Sequence, residues 1–426
     1  MFPLRRPAAG QRFLQASSGA PFFLLGDTAW SLAVSASQTD VATYLDNRKA
    51  KGFTAFHFNV IESTFAGGNN NTAPSNWYGE APFTNSNDFT TPREAYWTNI
   101  DYIVQQAAAR DMLCMIFPAY EGFGQGNQGW YQQMAAQGAT KLQTYGTWLG
   151  NRYLAYDNIL WVAGGDNNAA DKTLPRAIVN GIKSVSSKWL FAWHGARDTN
   201  ALTFWAGDIA WLDFNTIYDS SSNADANARF SYTNATIRPF ARIEDIYENP
   251  VNGISSSVIR WLAWDSAVQG GGGAIYGDVR VWDFNGPGTV TTDTRDWHVA
   301  MEDPVASQVK YLRQLYESKS WTSLVPDFPT NTFMTSGSSS TAFATLASDG
   351  SFGIAYSQNA GVSMTFNMGK VKAGSNLNVL VRWYDPTSGA FVTDGTYPAS
   401  GSRSFSRGTA NAQGSADWAL LFESSP

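Results

Sequence analysis

Two carboxylic acids each follow a short apolar run closely, at positions where they could act together on one substrate. Asp166 follows the run 159–163 and two glycines, and Glu244 directly follows the run 239–243. Glycoside hydrolysis requires a protonated carboxyl group that releases the leaving oxygen and an ionised carboxylate that attacks. The two positions therefore predict an acid and a nucleophile that face each other across a sugar-binding cleft.

Polar and aromatic side chains also follow the other apolar runs. Aromatic rings stack on the apolar faces of sugars, whereas carboxylates and amides bind sugar hydroxyl groups. The loop 62–89, which is rich in Asn, Thr and Pro, is expected to wall the site and set its specificity. The predicted substrate-binding residues are Asp27, Trp30, Asn59, Tyr120, Asn167, His194, Tyr218, Glu248, Trp264 and Tyr276.

Three of the acids also have competing interpretations. Glu248 lies close behind Glu244 and is the alternative nucleophile. Asp166 could instead cap the helix predicted at 174–185, and Asp27 could be a cap or turn residue.

The two proposed catalytic acids need opposite protonation states near neutral pH. Burial or a neighbouring negative charge would have to raise the pKa of Asp166 so that it keeps its proton. Glu244 must stay ionised, and a hydrogen bond from Tyr218 is expected to support it. Replacement of either acid is expected to abolish activity without unfolding the protein.

Several other chemistries lack the residues that they require. No lysine stands at a predicted strand end, which disfavours Schiff-base chemistry. The sequence has neither a Gly-rich phosphate loop after a strand nor the Gly-x-Ser-x-Gly elbow of a serine hydrolase. Three histidines and the single Cys114, which lies in the apolar run 112–117, do not make a zinc ligand set. We therefore expect no cofactor and no metal.

The elements that must position these residues form a repeating pattern over the first three quarters of the chain. Near-continuous apolar runs predict strands buried on both faces, and helices are expected near Thr39, after Pro92 and near Asp303. The pattern predicts an α/β fold, a (β/α)8 TIM barrel over residues 1–325, rather than a doubly wound sheet. The eight runs are 22–25, 53–60, 112–117, 159–163, 189–193, 211–217, 239–243 and 274–276.

The residue composition and spacing of the sequence change after Trp321. A Pro-rich segment at 326–331 reads as a linker, and short strand-like runs separated by turn residues follow it. This pattern predicts a small antiparallel β-sandwich over residues 326–426. The predicted strands are 342–346, 352–356, 363–367, 378–383, 390–392 and 418–422.

Composition limits the class of protein. The 426 residues contain 29 Lys and Arg against 35 Asp and Glu, which gives a net charge of −6. With 14% aromatic and only 15% charged residues the chain is not disordered, and the lack of cationic clusters argues against a nucleic-acid partner. No membrane or obligate protein partner is expected. The expected location is secreted or periplasmic, with the signal peptide absent from this sequence.

Three motifs in order resemble one known family. They are the Gly26-Asp27-Thr28-Ala29-Trp30 turn, the Gly164-Gly165-Asp166-Asn167 strand end and the Glu-x-x-Tyr-Glu segment at 244–248. These look like the apiosidase-type barrels of glycoside hydrolase family 140. The segment Arg382-Trp383-Tyr384-Asp385-Pro386 looks like part of the small module that often follows them.

The resemblance implies a retaining glycosidase that acts on a plant or microbial polysaccharide, with apiose-bearing pectin as the implied substrate. Asp166 would be the acid/base and Glu244 the nucleophile, with their carboxyl groups ~5.5 Å apart. Related barrels usually carry Asn-Glu after the fourth strand, where this chain has Asp166. The alternatives are a non-catalytic carbohydrate-binding barrel with a binding sandwich, or a cofactor-free isomerase or lyase.

Overall fold

The first part of the chain forms a barrel of eight parallel strands, every residue of which is buried. The computed structural model describes residues 1–64, 66, 73–85, 87–220, 224–286, 291–374 and 377–425. The barrel strands are β1 (Leu24–Thr28), β2 (Ala55–Asn59), β3 (Leu113–Phe117), β4 (Ile159–Gly164), β5 (Leu190–His194), β6 (Asn215–Tyr218), β7 (Phe240–Glu244) and β8 (Gly273–Tyr276).

The strands are arranged around the barrel in chain order. Their order in the sheet is β5-β4-β3-β2-β1-β8-β7-β6, and neighbouring barrel strands are parallel throughout. A ninth, two-residue strand, Thr199–Asn200, pairs antiparallel with β6 at the edge of the sheet. The backbone N–H of Asp213, just before β6, donates to the carbonyl oxygen of Phe191 in β5 over 2.8 Å and brings the two ends of the sheet together. The predicted (β/α)8 barrel is confirmed.

Helices follow most of the strands and cover the outside of the barrel. The predicted helices near Thr39, after Pro92 and near Asp303 are confirmed, the first with Ser37 and Asp40 in a capping box. Within the described ranges, no helix combines the length and apolarity needed to cross a bilayer. The helices are α1 (Gln38–Ala50), α2 (Glu94–Ala109), α3 (Tyr131–Arg152), α4 (Thr173–Val185), α5 (Ala224–Thr233), α6 (Ser256–Val268) and α7 (Pro304–Glu317), with one-turn helices at Leu32–Ser35, Ala201–Phe204 and Trp297–Ala300.

Side chains of each barrel strand alternate between two apolar cores. In β4, Leu160 and Val162 pack inside the barrel, whereas Trp161 and Ala163 pack outside it, in the core that includes the helices. Successive side chains of a strand point to opposite faces, so only every second residue can face the barrel interior. This alternation decides which strand-end residues reach the mouth of the barrel.

The C-terminal part is an antiparallel β-sandwich, as predicted. Its sheets have the orders β9-β11-β12-β17-β14-β15 and β10-β13-β16. Sequence patterns missed three short strands (β9, β10 and β16), and the domain boundary at residue 325 stays a prediction. The strands are β9 (Leu324–Pro326), β10 (Met334–Ser336), β11 (Ala342–Ala347), β12 (Phe352–Ser357), β13 (Met364–Asn367), β14 (Asn378–Tyr384), β15 (Phe391–Pro398), β16 (Ser402–Phe405) and β17 (Trp418–Ser424).

Helix α6 joins the barrel to the sandwich. Arg260 on α6 makes two hydrogen bonds, of 2.8 and 2.6 Å, to the carboxylate of Asp417 in the sandwich, and both side chains are buried. Trp264, one turn further along, stacks on Tyr356 with ring centroids 5.2 Å apart. The interface therefore combines apolar packing with a buried, bidentate ion pair.

We expect Asp417→Ala to lower the free energy of unfolding by about 3–5 kcal/mol, because it leaves the Arg260 guanidinium buried without its carboxylate. Urea denaturation followed by tryptophan fluorescence measures the change. Gln413→Ala, in an exposed turn of the sandwich, is the control and should unfold as the wild type does. Equal midpoints for the two variants would show that the buried pair does not stabilise the fold.

Candidate active site

A cavity of about 510 Å³ opens at the carboxyl ends of the barrel strands. Its wall combines acids, amides and aromatic rings, and among its described lining residues only Arg197 carries a positive charge. Such a concave, mixed surface at this end of a (β/α)8 barrel is the usual position of an active site. The lining residues are Trp30, Asn59, Glu62, Ser63, Tyr120, Phe123, Gln128, Asp166, Arg197, Tyr218, Glu244, Asp245, Ile246, Tyr247, Asn249, Asn252, Ile254, Val279, Trp282 and Thr291.

Asp166 and Glu244 meet in this cavity. One oxygen of each carboxyl group and one ring nitrogen of His194 lie within 4.8 Å of one another. Two ionised carboxylates this close repel each other, so the pair favours a state in which one carboxyl group is protonated. The geometry therefore supplies one acid and one carboxylate.

Glu244 reaches the cavity because strand pairing is irregular at the end of β7. Ala241 and Ile243 face the barrel interior, so strict alternation would point Glu244 outward. The register between β7 and β6 shifts between Arg242 and Glu244, as in a β-bulge. Bulges re-aim side chains next to active sites, and this one turns the Glu244 carboxylate towards the cavity.

Two donors hold the Glu244 carboxylate. The Tyr247 hydroxyl donates to Oε1 over 2.5 Å, and His194 Nε2 lies 2.8 Å from Oε2. Tyr247 in turn accepts a hydrogen bond from Trp30 Nε1 over 2.6 Å. The predicted donor, Tyr218, instead accepts a hydrogen bond from Arg197. The support that sequence assigned to Tyr218 therefore comes from Tyr247 and His194.

Both ring nitrogens of His194 make hydrogen bonds. The backbone N–H of Asp166 donates to Nδ1 over 3.3 Å, which leaves the ring proton on Nε2 to donate to Glu244. Burial lowers the pKa of His194, but the hydrogen bond and charge of Glu244, with the charge of Asp166, outweigh burial and raise it above its ordinary value. His194 thus links the two acids without lining the cavity itself.

The backbone before Asp166 brings its carboxyl group close to Tyr120. Gly164 and Gly165 have φ values of 97° and 115°, and Asp166 itself is left-handed with φ of 53°. A Cβ on Gly165 would lie 2.7 Å from the Tyr120 ring, so glycine is needed there. The Tyr120 hydroxyl donates to Asp166 Oδ2 over 2.7 Å. Burial, followed by the charge of Glu244, raises the pKa of Asp166 to about 7.

Among the described residues, Asp166, His194 and Glu244 form the one cluster of acidic and histidine side chains close enough to hold a metal ion. Metal binding would need a nitrogen lone pair on His194, yet Nδ1 accepts from Asp166 and Nε2 bonds Glu244. A metal would therefore have to break one of these hydrogen bonds. The arrangement is better suited to proton transfer and nucleophilic attack.

Four of the predicted binding residues line the cavity: Trp30, Asn59, Tyr120 and Tyr218. Each stands at or just after the end of a barrel strand, as the argument from strand ends requires. His194 is fully buried beneath them and contacts both acids. The structure thus brings these five residues together with Asp166 and Glu244.

Strand alternation overturns two binding predictions. Asp27 in β1 points outward, where it pairs with Arg48 and accepts a hydrogen bond from Tyr44 on α1. It is therefore neither a substrate ligand nor a helix cap. Tyr276 in β8 also points outward and donates to Glu248 over 2.6 Å.

Three further binding predictions fail because the side chains are used elsewhere. Glu248 is buried away from the cavity, accepts from Tyr276 and from the backbone of α7, and so is not an alternative nucleophile. Asn167 donates to Glu121 instead of facing the cavity. Trp264 lies in the interface between barrel and sandwich.

The alternative interpretation of Asp166 as a helix cap is also wrong, since α4 begins at Thr173.

Sequence reasoning did not assign several residues of this site. Tyr247 and Phe123 lie in loops. Tyr247 belongs to the Glu-x-x-Tyr-Glu segment at 244–248, whereas only its position shortly after a strand end could have pointed to Phe123. Glu62, at the start of the loop 62–89, is buried and lines the cavity, and burial raises its pKa to about 7. The loop 62–89 contributes Glu62 and Ser63 to the wall, while its residues 65, 67–72 and 86 lie outside the described part of the chain.

Comparisons with known proteins agree with this layout. Residues 8–323 match the family model described as apiosidase-like, catalytic domain, and residues 329–423 match a model named for a collagen-binding domain of a collagenase. A structure described as a glycoside hydrolase family 5 protein from Bacteroides vulgatus is 23% identical, with a TM-score of 0.84 over 100% of this chain and 94% of its own. Another, described as a glycoside hydrolase, is 22% identical, with a TM-score of 0.84 over 100% of this chain and 97% of its own. No curated protein matches the chain.

We expect the Asp166 carboxyl group to titrate at about pH 7 in the folded protein, protonated below that pH and ionised above it. Glu244→Gln should lower this pKa because it removes a negative charge, whereas Tyr120→Phe should raise it because it removes a donor to the carboxylate. Carbon-13 NMR of aspartate-labelled protein measures the titration. Glu317→Gln at the end of α7 is the control and should leave the pKa unchanged. Titration of Asp166 near 3.8 in the wild type would contradict this expectation.

Proposed function

The chain belongs to the apiosidase-like family, and from this membership we propose that it is a retaining glycoside hydrolase. The observation that carries the proposal is the close pair of carboxyl groups on β4 and β7 in the barrel cavity. Retaining enzymes hold the two groups about 5–5.5 Å apart, whereas inverting enzymes separate them by about 6.5–9.5 Å to admit a water molecule. Oxygens within 4.8 Å of each other support the retaining spacing.

In the first step Asp166 acts as the acid and Glu244 as the nucleophile. Below about pH 7 Asp166 carries a proton, which it gives to the glycosidic oxygen as the bond from that oxygen to the anomeric carbon breaks. A carboxylate oxygen of Glu244 forms an ester bond with the same carbon. The leaving sugar departs with the proton, and Asp166 is left ionised.

In the second step Asp166 acts as a base. It takes a proton from a water molecule, whose oxygen attacks the anomeric carbon while the bond to Glu244 breaks. This regenerates a protonated Asp166 and an ionised Glu244. Two inversions at one carbon give net retention of configuration.

Tyr247 and His194 act as positioning residues in this scheme. Their two hydrogen bonds fix both oxygens of Glu244 and stabilise its negative charge before attack. The charge of Glu244 also helps to keep Asp166 protonated, so the two roles reinforce each other.

The family description supports apiose as the released sugar, from a plant or microbial polysaccharide or oligosaccharide. Trp30, Tyr218 and Trp282 line the cavity, and aromatic rings are the side chains on which sugars stack. Polysaccharides of this kind lie outside the cell, which supports a secreted or periplasmic location.

We expect Asp166→Asn and Glu244→Gln to fold but to lower kcat/KM by about 10²–10⁴-fold or more, because each removes a group that bonds or protonates the reacting atoms. Release of reducing sugar from a panel of apiose-containing and other glycans measures the activity. The control is Glu317→Gln, which should behave as the wild type.

The remaining outcomes decide between alternatives. An active Glu244→Gln protein would overturn the nucleophile assignment. A wild type that cleaves no glycan but binds one would favour a carbohydrate-binding barrel without activity. Loss of activity on treatment with a chelator, restored by a metal ion, would favour coordination by the acids and His194 over the scheme above.

The wild type should release its product with retained anomeric configuration, because the scheme inverts the same carbon twice. Proton NMR of the first product formed, before mutarotation, measures the configuration. In a Glu244→Gly variant, added azide should restore turnover of a fluoride substrate and give a glycosyl azide of the opposite configuration. Inversion by the wild type would exclude double displacement.

A further inference from the structure

The turn between β3 and α3, residues 121–130, follows a tightly restricted backbone path. It contains four glycines. A Cβ on Gly122 would lie 2.1 Å from the backbone nitrogen of Gly129, and a Cβ on Gly129 would lie 2.4 Å from the carbonyl oxygen of Glu121. Gly122 is also left-handed, with φ of 108°. The two sides of the turn therefore approach as closely as only glycine permits.

This turn is fastened to the segment that carries Asp166. Two backbone hydrogen bonds, of 3.2 and 2.9 Å, join Glu121 and Gly122 to the two glycines that precede Asp166. The backbone N–H of Phe123 donates to the Tyr120 hydroxyl oxygen over 3.2 Å, and that hydroxyl donates to Asp166 Oδ2. The backbone of Phe123 is thus held in a fixed position relative to Asp166.

Phe123 lines the cavity, yet 57% of its surface is exposed. Burial of a phenylalanine ring is worth roughly 1.5–3 kcal/mol, so an open ring in a cavity offers a large contact surface to a ligand. We propose that Phe123 is the platform on which the sugar ring of the leaving group stacks.

The chemistry of the site places the leaving group on this side, an argument that rests on the proposed function. The acid must reach the glycosidic oxygen, so the ring attached through that oxygen lies on the side of Asp166 and of the turn fastened to it. Glu244 approaches the anomeric carbon from the face opposite the leaving group. The ring that fits Phe123 is a pyranose whose C–H groups form an apolar face.

Two probes that share the same glycone test the platform. One is a disaccharide of apiose linked to a hexopyranose, and the other is apiosyl fluoride, which has no leaving-group ring. Phe123→Ala should lower kcat/KM for the disaccharide by about tenfold and change that for the fluoride less than twofold. Phe123→Trp should retain the wild-type preference for the disaccharide. The ratio of kcat/KM for the disaccharide to kcat/KM for the fluoride isolates the contribution of the leaving-group ring, because kcat/KM measures stabilisation of the transition state relative to free enzyme and substrate.

The control is Phe230→Ala on α5, which removes another exposed phenylalanine that does not line the cavity and should leave both values unchanged. An equal loss on both probes in Phe123→Ala, or no loss on the disaccharide, would overturn the platform while the proposed function stands. A wild type that cleaves neither probe overturns the proposed function for this sugar, and the platform with it.

Discussion

The closeness of two carboxyl groups is the constraint on which the rest of the site depends. Two full charges within 4.8 Å repel by roughly 3 kcal/mol or more at an effective dielectric constant of about 20. Glu244 has donors on both oxygens, from Tyr247 and His194, whereas Asp166 has one donor, Tyr120. Since donors favour the ionised form, the charge stays on Glu244 and the proton on Asp166. Burial acts in the same direction and, followed by the charge of Glu244, raises the pKa of Asp166 to about 7.

Both acids reach the cavity where the regular strand backbone breaks down. Glu244 depends on the shifted register at the end of β7, and Asp166 on a left-handed residue after two glycines. A left-handed conformation at a non-glycine residue costs roughly 1–2 kcal/mol and persists only where surrounding contacts fix it. The backbone N–H of Asp166 meets His194, and its carboxyl group meets Tyr120. The same hydrogen bonds that set the chemistry therefore also hold the irregular backbone in place.

The barrel and the positions of Asp166 and Glu244 could be predicted because each acid closely follows a largely apolar run, which only Arg242 interrupts. Which residues of each strand face the barrel interior could not be predicted, since a strand that is apolar on both faces has no polar side to mark the interior. The predictions for Asp27 and Tyr276 were wrong for that reason. Asp27 points outward to Arg48 on α1, and Tyr276 packs in the core outside the barrel and donates to Glu248. The prediction that Trp264 binds substrate was wrong because its position is set by packing against the sandwich, a long-range contact without a local sequence signal.

The sandwich bears on the site through α6. On one side, Arg260 of this helix is paired with Asp417 of the sandwich. On the other side, Asp265 pairs with Arg242 of β7, two residues before Glu244, and the Ser266 hydroxyl accepts from the Arg242 backbone over 3.2 Å. Because α6 is held on both faces, it has little freedom to shift. The sandwich therefore stabilises the position of β7, whose irregular end directs the Glu244 carboxylate into the cavity. A covering role of this kind requires no sugar-binding surface on the sandwich.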